Sequence, residues 1–352
     1  MNLFTPFRLR GIELKNRIAV SPMCEYSAKD GHPTNWHLVH LGSRAVGGAA
    51  LVFTEATAIS AIGRISPADT GIYLNSHVQA WGPIVEFLHE QGAMSGIQLA
   101  HAGRKASTAA PWLGGAPVAI KDGGWTPVAP SPIPFSTGYA VPNELSIAEI
   151  DEVVADFEAA SRRAVTAGFQ IAEIHSAHGY LLHEFLSPLC NHRTDDYGGS
   201  FENRIRLLLR VAQAVRDSWP QERPLFVRIS ATDWAENGWD LEQSIELARR
   251  LKEVGVDLVD VSSGGAVPGV QIPLGPGYQV GFAAAIRNEA QIATGAVGMI
   301  TEPAQAETII ATNQADIVLI AREMLRDPYW PRHAAQTLGA KIKAPVQYER
   351  AW

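Results

Sequence analysis

Cysteine is nearly absent: Cys24 and Cys190 are the only two in 352 residues. Two thiols with no Cys-x-x-Cys spacing exclude a disulfide framework and a thiolate zinc site, and they predict a reducing, cytoplasmic setting. Long apolar runs are also lacking. The best, Gly47 to Phe53, breaks at Thr54 and Glu55, far short of a bilayer span. Met1 to Arg17 has no apolar core ahead of small residues, which predicts no signal peptide. Positive charge is in the minority: 29 Lys and Arg against 36 Asp and Glu leave a net charge of −7, which argues against nucleic acid or anionic membrane as a partner. No strand-like run is followed by Gly-x-Gly-x-x-Gly. The nearest match, Gly275-Pro276-Gly277, is a loop signal, so an open dinucleotide-binding sheet has no anchor. What remains is 46% hydrophobic and 18% charged, the composition of a globular protein with an ample core.

A short pattern recurs within that composition. Ala167-Gly168-Phe169-Gln170-Ile171-Ala172-Glu173-Ile174 reads like Val254-Gly255-Val256-Asp257-Leu258-Val259-Asp260-Val261, with weaker copies at 48–55 and 315–320. Each is an apolar, β-branched run of strand length with little polar alternation, as expected of parallel strands covered on both faces. Amphipathic helices lie between them. One opens at Ser146 with Glu149 three residues on, carries Ile147, Ile150, Val153, Val154, Phe157, Ala160 and Ala164 as its apolar residues, and stops at Gly168. Another opens at Asp240 and stops at Gly255. Strands are expected near 17–20, 50–54, 94–99, 170–174, 225–229, 258–261, 292–296 and 317–320. Eight strands alternating with helices predict an α/β fold, the (β/α)8 TIM barrel, as one domain over 1–352. The segment 101–142, dense in Pro, Gly, Ala and Thr, predicts an excursion after strand three over the catalytic face, as a hairpin or lid.

In such barrels the active site lies at the C-terminal ends of the strands. Strand one is followed there by Ser21-Pro22-Met23-Cys24-Glu25-Tyr26, strand two by Glu55-Ala56-Thr57, and strand three carries Gln98 and His101. Strand four runs into His175-Ser176-Ala177-His178-Gly179-Tyr180, strand five contains Arg228, and strands seven and eight are followed by Gly298 and by Ala321-Arg322. The i, i+3 spacing of His175 and His178 predicts two imidazoles on one side of a helical turn, converging on one ligand atom with Tyr180 as a proton source. Arg228 is expected either to pair with Glu173 inside the barrel or to face a ligand. Arg322 is expected either to form a surface salt bridge or to complete, with Gly298, the phosphate nest usual after strands seven and eight. Together these groups suit a phosphorylated planar cofactor under a small polarising pocket. The competing reading is a metal-dependent barrel hydrolase with His101, His175 and His178 as zinc ligands, which leaves Gln98, Arg228 and the nest unused.

In order along nearly the whole chain, Asn16 to Tyr26, Glu55 to Ala58, Gln98 to Lys105, His175 to Leu181, Arg193 to Arg204, Thr294 to Gly298 and Gln347 to Trp352 resemble the Old Yellow Enzyme family of flavin-dependent ene-reductases. More narrowly they resemble its bacterial thermophilic-like class, which carries a cysteine near the flavin. The resemblance implies non-covalent FMN reduced by NADPH or NADH, with enones and other activated alkenes as substrates. By the same resemblance Ser21, Pro22, Met23, Cys24, Ala56, Gln98 and Arg228 contact the isoalloxazine, and Gly298, Ala321 and Arg322 hold the phosphate. His175 and His178 bind the substrate carbonyl, Tyr180 delivers a proton and Tyr26 lines the pocket. It further implies a homodimer or homotetramer in which the tail 344–352 places Arg350 in the neighbouring active site. Two departures stand out: Ala321 replaces a common glycine, and many relatives have asparagine where His178 stands.

Overall fold

The structure, a computed structural model, describes all 352 residues. The strands are β1 (Phe7–Leu9), β2 (Ile12–Leu14), β3 (Ile18–Val20), β4 (Leu51–Ala58), β5 (Met94–Ala100), β6 (Val128–Ala129), β7 (Asn143–Glu144), β8 (Ile171–Ser176), β9 (Leu225–Ser230), β10 (Leu258–Ser262), β11 (Ala293–Ala296) and β12 (Ile317–Ile320). Eight of them close a parallel barrel in the order β3-β4-β5-β8-β9-β10-β11-β12. The helices are α1 (Asn35–Val46), α2 (Asn75–Glu90), α3 (Ile147–Thr166), α4 (Leu181–Leu186), α5 (Phe201–Ser218), α6 (Leu241–Glu253), α7 (Val280–Ala290), α8 (Pro303–Ala311), α9 (Arg322–Arg326) and α10 (Trp330–Leu338). This is the expected (β/α)8 architecture, with all eight barrel strands overlapping their predicted positions.

Local chemistry sets the helix ends. The Ser146 hydroxyl accepts the Glu149 N–H, and the Glu149 carboxylate takes the Ser146 N–H, so two otherwise unpaired donors are satisfied at the start of α3. Past the other end Gly168 stands at φ +96°, a left-handed conformation that lets the chain turn straight into β8. The Asp240 carboxylate caps α6 by accepting the Gln243 N–H.

Two apolar layers sort the strand residues by parity. Val52, Ile97, Leu99, Ile174, Val227, Val259 and Val318 belong to the large core between strands and helices. Leu51, Phe53, Ile171, Phe226, Leu258, Ile317 and Leu319 form a second cluster inside the barrel. Leu14 joins it, with Phe7, Leu9 and Ile12 packed alongside, so the β1–β2 hairpin plugs the N-terminal end. Nothing in the sequence analysis anticipated that hairpin. The strands are also less uniformly apolar than their composition suggested. Counting by twos from the inner residues Ile171, Phe226 and Leu258 gives Glu173 and His175, Arg228 and Ser230, and Asp260 and Ser262. The interior is therefore apolar at the plugged end and polar at the other.

The excursion after β5 pairs as a hairpin only at one antiparallel bridge, between Thr108 and Pro117. It is irregular chain with short 3₁₀ turns at Gly103–Lys105, Pro111–Leu113 and Ile120–Asp122, and its one strand, β6, pairs in parallel with β7. Trp112, Leu113 and Ile120 are exposed on it. Phe226 packs against Phe53 at 6.0 Å in the plugged interior, so Phe226→Ala is expected to leave a cavity there. The expected cost is about 3–5 kcal/mol of unfolding free energy with the circular dichroism of the native barrel retained; denaturant titration measures it.

Candidate active site

His175 is the penultimate residue of β8, and the chain turns immediately after that strand, with His178 at φ +60° and Gly179 at φ +72° before α4. The two imidazoles therefore do not share a helical turn, as their spacing predicted. His175 stands on the strand, and left-handed backbone brings His178 beside it, rings edge to face with centroids 5.2 Å apart. Tyr180 lies edge-on to His175 at 5.1 Å. The predicted trio converges, by a different local geometry.

The turn is clamped through its backbone. The Ala177 N–H donates to His175 Nδ1 at 3.3 Å, His178 N–H to Ser230 Oγ at 2.9 Å, and Gly179 N–H to His183 Nδ1 at 2.9 Å. Lys105 Nζ donates to the carbonyl oxygens of His178 at 2.7 Å and Gly265 at 3.2 Å. His183 is in turn fixed by Asp233, 2.9 Å away and equally buried, which also accepts from Ser187 Oγ. A Cβ on Gly179 would lie 2.0 Å from the Gly265 carbonyl oxygen, so this close approach requires glycine.

Burial, reinforced by the Arg228 charge, holds both imidazoles well below the ordinary histidine range, and they are neutral at pH 7. His175 Nδ1 accepts an amide proton, so its own proton is on Nε2. His178 Nε2 meets Ser262 Oγ at 2.7 Å, which leaves Nδ1 as its free nitrogen. Burial raises the Tyr180 phenol and the Cys24 thiol, with nearby acidic groups adding to both, so each keeps its proton.

Opposite this turn, Ser21 follows β3 and its hydroxyl accepts from Arg228 Nη1 at 3.1 Å. Pro22, Met23 and Cys24 are half-buried in the irregular segment beyond. Glu55 on β4 anchors that segment: it accepts the Glu25 N–H at 2.6 Å and pairs with the buried His37 of α1 at 2.8 Å. Ala56 follows an irregularity in β4 and joins a small apolar cluster against which Cys24, Tyr26 and Tyr180 pack. A cavity of about 330 Å³ is lined by Tyr26 and Tyr180, with Lys105, Thr108 and Tyr139 from the excursion. Burial is also the main cause that raises the Tyr26 phenol.

Gln98 and Arg228 lie inside the barrel. Gln98 Nε2 donates to Glu173 Oε1 at 2.8 Å, and Arg228 pairs with Asp260 at 3.2 Å rather than with Glu173. Gly298 stands at φ +120°, where a Cβ would meet Gln279 Nε2 at 2.7 Å. Ala321 is the N-cap of α9, and the exposed Arg322 at its first position forms no salt bridge. No three His, Cys, Asp or Glu side chains are grouped to hold a metal ion, and His101 Nδ1 accepts the Gly103 N–H, so the hydrolase reading is not supported. The tail lies on its own α10, with Trp352 stacked on Tyr329 at 6.3 Å, and Arg350 does not line the cavity of its own chain. A larger cavity of about 560 Å³, lined by Lys15, Arg332 and the segment 341–347, contains none of the predicted site residues.

Sequence reasoning missed Ser230, Asp260 and Ser262, which a count by twos along β9 and β10 would have turned inward. It also missed Lys105, His183 and Asp233, for which no local signal exists.

A closed parallel barrel whose strand ends gather a buried guanidinium, an amide and neutral imidazoles defines an enzyme that works through an organic cofactor. The sequence profile of the NADH:flavin oxidoreductase / NADH oxidase family matches residues 2–341, and the chain belongs to that family, the Old Yellow Enzymes. It is 51% identical to an NADPH dehydrogenase of Geobacillus sp. (strain WCH70), covering 99% of this chain and 98% of that protein. It is 48% identical to the NADPH dehydrogenase of Bacillus subtilis (strain 168), covering 99% of each. Among solved structures it is similar to morphinone reductase in complex with tetrahydroNAD, at 27% identity, TM-score 0.81, and 98% and 93% coverage of the two chains. The Old Yellow Enzyme homologue from Zymomonas mobilis gives 29% identity, TM-score 0.81, and 98% and 95% coverage. The protein is an FMN-dependent NAD(P)H oxidoreductase. The residues present fit FMN. Arg228 Nη2 and the Arg322 guanidinium have no protein hydrogen-bond partner, and the Gly298 backbone leaves no room for a side chain. No helix is long and apolar enough to cross a membrane.

Both imidazoles are expected to remain neutral between about pH 5 and 8, where an exposed histidine titrates. Their ¹⁵N signals should hold neutral-tautomer values across that range, and a midpoint near 6.5 for either would contradict the geometry. The sign for stability follows. Unfolded histidines bind protons below about pH 6.5 while His175, His178, His40 (about 3) and His101 (about 4) do not, so these four withdraw stability as pH falls.

Proposed function

We propose that the protein is an ene-reductase acting on α,β-unsaturated carbonyl compounds and related activated alkenes. The reading rests on two neutral imidazole donors packed edge to face beside a protonated phenol, Tyr180, that lines the cavity. Bound FMN supplies hydride carriage from NAD(P)H to the alkene. Ser21, Pro22, Met23, Cys24, Ala56, Gln98 and Arg228 would hold its ring, and Gly298, Ala321 and Arg322 its phosphate. Arg228 brings a buried positive charge to the ring site, where it favours a cofactor carrying extra negative charge.

His175 offers Nε2–H to the substrate carbonyl oxygen. His178 offers Nδ1–H when the Ser262 hydroxyl donates to its Nε2. Two neutral donors stabilise the developing enolate without first needing to be discharged, as in an oxyanion hole. Tyr180 then gives its proton to the α-carbon. The elevated phenol keeps that proton until a strongly basic carbon is present. Nicotinamide and alkene use the same cavity in turn, which gives ping-pong kinetics. Cys24, held as a thiol, serves as a neighbour of the ring and not as a nucleophile.

Tyr180→Phe is expected to slow alkene reduction by about 10²–10⁴-fold while reduction of the flavin by NADPH stays near wild type. Stopped-flow measurement of the two half-reactions separates them, and equal loss in both would remove Tyr180 from this role. We further infer that the tail 344–352 completes the site of a neighbouring subunit, supported by an exposed Arg350 with no partner in its own chain. Deleting Tyr348 to Trp352 is then expected to raise KM for enones with FMN content unchanged. An unchanged KM would refute the shared site.

A further inference from the structure

The barrel interior holds a charged layer that the chemistry above does not use. Glu173 and Asp260 are fully buried, and Arg228 is 5% exposed. With both acids ionised the three would carry a net charge of −1 in a buried interior, an expensive arrangement. The hydrogen-bond pattern does not support it. Glu173 Oε2 and both carboxylate oxygens of Asp260 have no donor. Arg228 Nε lies 3.2 Å from Asp260 Oδ2, yet it too lacks a hydrogen-bond partner, so this ion pair is close but poorly aligned. The two acids enter the same inward layer from β8 and β10, the strands on either side of β9 and its Arg228, and their carboxyl groups interact. Between two carboxylates that contact is acceptor against acceptor, and one proton turns it into an O–H···O bond.

We propose that Glu173 and Asp260 share one proton, holding the interior layer at zero net charge with Arg228, and that this balance sets how strongly Arg228 favours reduced over oxidised FMN. The inference rests on the reading that FMN sits against Arg228 and Gln98. Glu173 is a positioning residue in a second sense: by taking Gln98 Nε2–H it leaves the amide oxygen of Gln98 free. The other groups near the pair do not disturb the balance. Gln98 on β5 is uncharged, His175 at the end of β8 is neutral, and so is His178. Burial raises both acids, Asp260 to about 6, with the Arg228 charge opposing it.

The test compares Glu173→Gln, Asp260→Asn and the double variant as FMN holoproteins. Measurements are the FMN dissociation constant and the midpoint potential of bound FMN. Each single variant removes the one ionisable proton and keeps the layer neutral, so the ratio of oxidised to reduced FMN affinities should stay within about threefold of wild type. The double variant leaves Arg228 unbalanced and should favour reduced FMN by about tenfold or more, an upward shift of about 30 mV for a two-electron couple. Single variants that each shift the ratio tenfold, or a double variant that does not, overturn the proposal. Infrared spectra of the apoproteins give a readout without cofactor. In wild-type-minus-variant difference spectra at neutral pH, a carboxylic-acid C=O band lost from both single variants supports the shared proton over the constant signal of other buried acids such as Glu184, and its absence from both differences refutes it even if the double variant does not fold. Failure of wild type to bind FMN would sink the functional reading and leave the infrared result standing.

Discussion

A positive charge buried inside a closed barrel must find its partners within the protein, and Arg228 is that charge. Its neighbours are arranged around the fact: Ser21 accepts from one end, Asp260 lies beside another, and Glu173 and Gln98 complete the layer. The same guanidinium helps keep His175 and His178 unprotonated. A cation at the floor and neutral donors at the rim are therefore one electrostatic arrangement. Without the cation, burial alone would still disfavour protonated imidazoles, but the site would lose its pull on negative charge.

The barrel can hold such a layer because its two ends differ. At the plugged end, Phe53, Phe226, Leu258 and the β1–β2 hairpin pack without polar atoms. Two residues further along each strand the side chains become Arg228 and Asp260. The apolar end supplies the stability that tolerates imperfectly satisfied polar groups at the other, a division of labour common to barrels of this type.

Much of this was legible in the sequence. Short β-branched runs, the Ser146–Glu149 cap and glycines past helix ends located the strands and their helices, because those signals are local. Strand ends then pointed to Cys24, Gln98, His175, Arg228 and Arg322. What stayed hidden depended on parity or on contacts distant in sequence. The run Ile171 to Ile174 reads as a mainly apolar strand, and the inward place of its Glu173 is clear only once alternate residues are assigned to two different layers. Lys105 reaches the His178 carbonyl across 73 residues, and Asp233 reaches His183 across 50. The helical turn inferred for His175 and His178 failed because spacing alone cannot tell a helix from a strand that ends in left-handed backbone.

That left-handed backbone limits which side chains position 178 can carry. At φ +60° a β-branched or bulky residue is strained, whereas histidine, aspartate and asparagine are the non-glycine types that visit this region most readily. Gly179 and Gly265 press the two loops together from either side, so the backbone cannot relax to admit others. The identity of residue 178 thus has a conformational constraint as well as a chemical one. The main chain restricts the alphabet first, and hydrogen-bond chemistry selects from what is left.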